Sequence, residues 1–266
     1  MVFSHTQLAN FLTCPRRYRY RYLDGWREKD TRAGLLFGRA FESALTALFH
    51  RKDPEAALFE QWSAYQHSSL EYTRGDSWQS MYEQGLKLLQ FFVQHDRVEI
   101  RRPKRSLQLR VTKRLSATSS FVGYIDALGF LDGTRCVIDW KTTSARYPEE
   151  PDGLLALDPQ LLCYSWLTGE PEVAFVVFVR KRLPEIQYLR TTITDEQRRE
   201  FGHLVQDAVA QIEAGLFLPH PGIRFPQNAC TSCAYIGLCL NNQEMVGKRL
   251  ARNGGSEFGW LDELEY

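Results

Sequence analysis

Apolar residues recur at helical spacing in the first third of the chain and switch to alternation in the middle. Residues 4–13 place Leu8, Phe11 and Leu12 on one helical face, with Ser4 positioned to cap the first turn. Residues 34–50 repeat the spacing with Leu36, Ala40, Ser43, Ala44 and Leu48, and residues 77–95 repeat it with Met81, Leu86, Leu88, Leu89 and Phe92. Leu107 to Thr112 then alternates as a strand does. Phe121 to Leu131 is a second strand, closed by the hairpin pair Asp132-Gly133, and Arg135 to Thr142 is a third. Residues 159–168 read as a helix. Glu172 to Arg180 follows with six apolar residues in a row, which fits a central strand covered on both faces. A fifth strand, Ile186 to Thr192, and a long helix over about 194–215 complete the series.

The order is therefore helix, three-stranded meander, helix, strand, an α/β core with helical extensions at both ends. The expected organisation is an N-terminal segment over 1–33, a core over 34–215 with a helical insertion at about 54–96, a segment over 216–240 and a tail over 241–266. At 266 residues with 44% hydrophobic and 24% charged content, the chain is long and apolar enough to bury a core. It contains no run of eighteen apolar residues, which excludes a helical membrane span. The first residues lack a basic region followed by an apolar stretch, so a cytoplasmic setting is expected.

Cysteine spacing adds the first chemistry. Cys230, Cys233 and Cys239 fall within ten residues, and Cys14 sits near the other end of the chain. In a chain without a secretion signal these read as ligands of one metal centre that ties the two ends together. A four-cysteine zinc site and an iron–sulfur cluster both satisfy that reading, although zinc modules usually arrive as two close pairs. Cys136 and Cys163, inside apolar elements, read as ordinary buried cysteines.

The net charge of +1 says nothing about nucleic acid, but its distribution does. Arg16, Arg17, Arg19 and Arg21 alternate with Tyr18, Tyr20 and Tyr22. A second cluster contains Arg101, Arg102, Lys104 and Arg105, and a third is Arg180-Lys181-Arg182. Such patches suit a phosphate backbone and stacked bases, while the plainer reading is solvated arginines beside packed tyrosines. The last ten residues, Glu257 to Tyr266, are acidic and would repel DNA.

Gly123-Tyr124-Ile125-Asp126 lies on the second strand and Asp139-Trp140-Lys141 at the end of the third. The hairpin makes the two strands neighbours, so Asp126 and Asp139 converge, and Asp139 and Lys141 share a face. An acid and a lysine on an otherwise apolar strand are costly unless they serve a metal or each other. Phosphodiester hydrolysis uses this set: a Mg²⁺ between carboxylates neutralises phosphate and activates water, and a lysine stabilises the developing charge. Gln160 and Tyr164, four apart, share a face of the following helix. Glu42 sits in the apolar helix motif Gly38-Arg39-Ala40-Phe41-Glu42.

Together these residues resemble the PD-(D/E)XK nuclease superfamily, and within it the RecB-type exonuclease branch that includes CRISPR-associated exonucleases. The resemblance runs from Cys14 to Cys239. It implies a restriction-endonuclease-like core and a Mg²⁺- or Mn²⁺-dependent DNA exonuclease, with some endonuclease activity, acting mainly on single-stranded DNA in repair or CRISPR adaptation alongside other proteins of those systems. It implies a metal held by Glu42, Asp126, Asp139 and the Trp140 carbonyl, with Lys141 catalytic and Gln160 and Tyr164 orienting substrate. It implies a [4Fe–4S] cluster on Cys14, Cys230, Cys233 and Cys239 joining the terminal extensions, and DNA contacts from Arg16, Arg17, Arg101, Arg102, Lys104 and Arg105. One position departs from the pattern: Glu42 stands where the family usually has histidine, which keeps a non-catalytic DNA-binding subunit of a larger complex as the alternative. No Gly-x₄-Gly-Lys-Ser/Thr loop is present, so ATP is not expected to bind this chain.

Overall fold

The computed structural model describes residues 1–95, 97–151, 153–219 and 228–252. The acidic stretch Glu257 to Tyr266 lies outside them. Two compact units emerge. One gathers Met1–Thr31, Lys113–Val122 and the described part of Gly202–Tyr266, and the other gathers Arg32–Thr112 and Gly123–Phe201.

The second unit is a mixed α/β core. The helix Ala33–Phe49 leads, followed by the helices Pro54–Ser63 and Trp78–Gln94. Its strands are Leu107–Arg114 up to Thr112, Ser120–Leu131 from Gly123 on, Thr134–Thr143, Glu172–Val179 and Glu185–Thr192, with the helix Pro159–Thr168 between the third and fourth. Asp132 (φ 49°) and Gly133 (φ 77°) both take the left-handed conformation that a tight two-residue hairpin demands, and the register pairs Leu131 with Thr134 across it. The Thr134–Thr143 strand then runs parallel to Glu172–Val179, which pairs antiparallel with Glu185–Thr192 on its other side. Flanked on both edges and buried from Val173 to Val179, that apolar run occupies the central position its composition predicts.

Both faces of this sheet are covered. Ile125, Val137, Val173, Phe175 and Val177 pack with Leu161 and Tyr164 of the helix Pro159–Thr168. On the other face Phe178 meets Phe41 at 4.7 Å and Phe92 at 5.3 Å between ring centroids, and Trp140 stacks on Phe49. Gly123 marks a close approach: a Cβ built there would lie 2.3 Å from Leu167 Cδ1, which would have to move. The glycine of Gly-x-x-Asp therefore lets the helix Pro159–Thr168 lie flat against the strand carrying Asp126.

In the first unit Ser4 caps the helix His5–Thr13 by accepting from the Gln7 amide, as its position predicts. Leu8 and Phe11 are buried, but Leu12 is exposed, so the apolar face is narrower than its spacing suggested. The short strand Val2–Ser4 pairs in parallel with Ser120–Val122, a contact no local pattern announces. The chain ends also meet by backbone pairing, because Trp26–Glu28 forms an antiparallel ladder with Leu250–Arg252. None of the described helices is long and apolar enough to cross a membrane.

Candidate active site

The acids and the lysine sit where the sheet opens. Between the two hairpin strands the register runs from Leu131–Thr134 to Ala127–Ile138 and stops there. Continued one step it would set Asp126 against Asp139. Trp140 continues instead along the parallel ladder to the central strand, and its own N–H donates to Asp126 Oδ2 at 2.9 Å. The Asp126 side chain thus replaces a main-chain partner at the point where the strands part.

Asp139 and Lys141 share a face, as strand periodicity requires. Lys141 Nζ is 2.6 Å from Asp139 Oδ2. Gln160 joins both: its Oε1 accepts from Lys141 Nζ at 2.7 Å, and its Nε2 donates to Asp139 Oδ1 at 2.9 Å and to the Tyr164 hydroxyl at 2.8 Å. Gln160 and Tyr164, expected to orient substrate, lie in this network beside the acid and the lysine. Asp158 fixes that helix end by accepting from the amides of Gln160 and Leu161, with Pro159 at the first helical position. Glu42 reaches the site from the helix Ala33–Phe49, hydrogen-bonded to Gln108 and to the Asp126 carboxyl. Gln108, at φ 51°, is a site residue that the strand pattern gave no reason to single out.

The electrostatics follow from burial. Asp139 is 1% exposed, and desolvation pushes its carboxyl up despite the opposing Lys141 charge. Asp126 is pushed well above the ordinary carboxylate range, first by burial and then by the charges of Asp139 and Glu42. Glu42 is raised by burial too, against hydrogen bonds from Gln108 and Asp126. Burial lowers the affinity of Lys141 for its proton, but Asp139 more than restores it, and the ammonium is retained. Three carboxyls near a single ammonium leave the site short of positive charge. Among the described residues no group of three His, Cys, Asp or Glu side chains is gathered into a closed ligand set; the acids meet in pairs, and Asp139 is held by Lys141 and Gln160.

The cysteines lie in the other unit. Cys233 is near enough to Cys14 and Cys239 for their charges to act on its thiol, which burial raises. Cys239 Sγ is 4.0 Å from the Tyr20 hydroxyl, and the Cys233 amide donates to Cys230 O. Tyr235 stacks on Tyr20, and Arg17 lies over its ring at 5.9 Å. Cys136 and Cys163 are fully buried, with thiols pushed up by desolvation, that of Cys136 to about 11; both behave as apolar residues.

The basic clusters divide. Arg180 is buried against Asp76 at 3.1 Å and lies over Phe37, so it serves the core, and Lys181 pairs with Glu185 at the surface. Arg17 pairs with Glu28, and Tyr18 is buried between Phe11 and Tyr22, so the Arg/Tyr alternation is largely packing. Arg101 is held by Glu99 and by the Phe130 ring. Arg102, Lys104 and Arg105 make no ion pair among the described residues, and with Phe49, His50 and Arg51 they line a pocket of about 560 Å³. Arg51 takes a left-handed conformation (φ 59°) just past the helix end, a place where glycine is usual. Neither His50 nor Arg51 was marked by any motif.

A buried sheet whose hairpin strands part at two acids, with a strand lysine beside them, defines a nuclease-type site. The chain belongs to the PD-(D/E)XK nuclease superfamily, whose sequence model matches residues 2–240. Among solved structures it is similar to a protein described as a candidate exonuclease from Eubacterium rectale, with 15% identity over 82% of this chain and 83% of that one and a TM-score of 0.49. It is also similar to LHK-Exo, solved in complex with dAMP, with 15% identity over 68% of this chain and 93% of that one and a TM-score of 0.33. No curated protein matches the chain.

Proposed function

We propose that this nuclease is a Mg²⁺- or Mn²⁺-dependent DNA exonuclease, with some endonuclease activity, that acts mainly on single-stranded DNA in repair, recombination or CRISPR adaptation. The observation that carries the reading is the trio Glu42, Asp126 and Asp139: one fully buried carboxyl and two half-buried ones, each raised first by desolvation, with the Lys141 ammonium paired to Asp139. These acids, with the Trp140 carbonyl, would hold the cation. The bound cation supplies phosphate neutralisation and an activated water.

The remaining work belongs to the chain. Lys141 presents a fixed ammonium to the charge that develops on the phosphate. Gln160 holds that ammonium and the Asp139 carboxylate in one set of contacts, so neither reorganises during reaction. Tyr164, buried and strongly disfavoured as a phenolate, stays a neutral donor to Asp139. Arg102, Lys104 and Arg105, with Arg16, Arg17 and Arg101, would meet the DNA backbone. A [4Fe–4S] cluster on Cys14, Cys230, Cys233 and Cys239 is supported by the one-plus-three spacing of the cysteines; its role would be to fasten the terminal segments.

The test is a Mg²⁺ and Mn²⁺ titration with end-labelled single-stranded DNA. Metal-dependent release of nucleotides, lost in Asp139→Ala, is the expected result. Binding without cleavage at any metal concentration would instead establish the non-catalytic subunit, with Glu42 in the histidine position as its cause.

A further inference from the structure

Beside Lys141 the same unit carries a second, chemically different cavity. It has a volume of about 420 Å³, within the range of small-ligand sites, and its walls include Tyr147, Pro148, Leu154, Leu157, Asp158 and Phe175. It adjoins the acids through shared residues. Phe175 pairs with Asp139 in the parallel ladder, and its ring centroid lies 5.2 Å from Lys141 Nζ. Asp158 forms part of the wall and also caps the helix that presents Gln160.

The walls are held in place. Tyr147 meets Phe175 edge-on at 5.9 Å. Its main chain is pinned on both sides by the buried Gln187, which accepts from the Tyr147 amide at 2.8 Å and donates to the Tyr147 carbonyl at 3.1 Å. Burial raises the Tyr147 phenol, so it stays neutral as part of the cavity wall. Leu154 and Leu157, on one short 3-10 turn, are 41% and 68% exposed. Two leucines held open to water beside a charged site form an unfilled apolar wall.

We propose that this cavity is a nucleobase subsite, receiving the base of the nucleotide that flanks the scissile phosphate. The inference rests on the nuclease reading above. Its lining is apolar and aromatic with one acid, and Lys141 meets it only through the Phe175 ring, so it suits a neutral planar ring and repels a second phosphate. A phosphate engaged by Lys141 carries its base one sugar away, beside Phe175 and Tyr147. A base enters only when unpaired, which ties the preference for single strands to these residues.

The experiment uses the full chain and single-stranded oligonucleotides with one abasic site, moved through the positions nearest the cut end. Cleavage is followed in Mg²⁺, and affinity is followed separately by anisotropy in EDTA. For the wild type, one abasic position should slow cleavage and weaken binding about tenfold, the loss expected when one stacked base is removed. The double variant Leu154→Ser, Leu157→Ser, altered only at exposed positions, should lose about as much on intact DNA and nothing further on the abasic strand. Equal handling of intact and abasic DNA by the wild type at every position overturns the subsite. So does a variant that remains as sensitive to the abasic site as the wild type. If abasic sensitivity appears in binding but no strand is ever cut, the subsite stands and the catalytic reading falls.

Discussion

Trp140 donates its main-chain N–H to Asp126 at 2.9 Å, across the point where the two hairpin strands stop pairing. This contact ties the Gly-x-x-Asp strand to the Asp-x-Lys strand where their main-chain pairing ends. It also opposes the rise of the Asp126 pKa, but burial and the charges of Asp139 and Glu42 outweigh it.

That imbalance predicts a pH dependence. Because the folded protein holds the Asp126, Glu42 and Asp139 protons more tightly than the unfolded chain does, their contribution to stability is complete below about pH 4, the ordinary carboxylate value, and is lost as pH rises through the raised folded-state values. Metal-free protein should therefore lose Tm from about pH 4 upward, and added Mg²⁺ should restore more of it at pH 8 than at pH 5. Asp126→Asn, which mimics the protonated acid and keeps the Trp140 bond, should raise the metal-free Tm at neutral pH by about 2–4 °C per kcal/mol recovered and flatten the profile. Thermal melts with and without EDTA measure both. A melting temperature indifferent to pH and to the Asp126→Asn substitution would mean that the carboxyls are not in conflict.

Lys141, Asp139 and Gln160 act as one hydrogen-bonded unit, so their deletions should not add. Asp139→Ala is expected to abolish cleavage, and Lys141→Ala to reduce kcat by about 10²–10³. Gln160→Ala should cost less, and combined with Lys141→Ala should cost little more than Lys141→Ala alone. Single-turnover rates with DNA binding measured in parallel check this. Full additivity would show that Gln160 acts independently of the lysine.

Gly123 offers a test of the scaffold. Gly123→Ala places a methyl against Leu167 and should destabilise the protein by about 1–3 kcal/mol, as overpacking does. Leu167→Ala in the same chain removes the obstacle, so the double variant should melt above the sum of the two single losses. Denaturant unfolding resolves the sign.

The site and the core were legible because they rest on local rules. Alternation gave the strands, Asp132-Gly133 gave the hairpin, and the hairpin together with the two-residue spacing of Asp139 and Lys141 gave the convergence of the acids and lysine. The rest depended on distant partners. Nothing in Arg180 marks it as the buried mate of Asp76, 104 residues away. Gln108 lies in an alternating strand and meets Glu42 only because the sheet brings them together. The pairing of Val2–Ser4 with Ser120–Val122 joins segments too short to carry a pattern of their own.

The basic pocket offers a test that separates DNA grip from chemistry. Arg102, Lys104 and Arg105 are unpaired among the described residues and share the pocket with Arg51. Each cation that meets a phosphate should contribute about 0.7 to the slope of log K against log salt for a single strand. Arg102→Ala with Arg105→Ala should lower that slope by about 1.4 and weaken binding at low salt, leaving the single-turnover rate at saturating DNA near wild type. Arg180→Ala should do the opposite, unfolding the protein at lower denaturant with the salt slope unchanged. An unaltered slope in the first variant removes the pocket from the DNA path.

The cysteines yield the last prediction. Trp26–Glu28 pairs with Leu250–Arg252, and Tyr235 packs against Tyr20 and Arg17, so the terminal segments have a small interface of their own around Cys233. A cluster bridging Cys14 and Cys230 would close a loop of more than two hundred residues, which the chain-entropy account values at about 5 kcal/mol. That is comparable to the net stability of many domains. Anaerobically purified protein should be brown and carry about four iron atoms per chain, as a [4Fe–4S] cluster requires, with zinc absent. Cys230→Ala should lose the colour and much of the solubility, whereas Cys163→Ala should keep the iron and cost only the packing of one buried thiol. Because the acids and Lys141 belong to the other unit, whatever soluble Cys230→Ala protein remains should still cleave DNA in Mg²⁺. Colourless wild-type protein with one zinc would assign the four thiols to a structural zinc site instead.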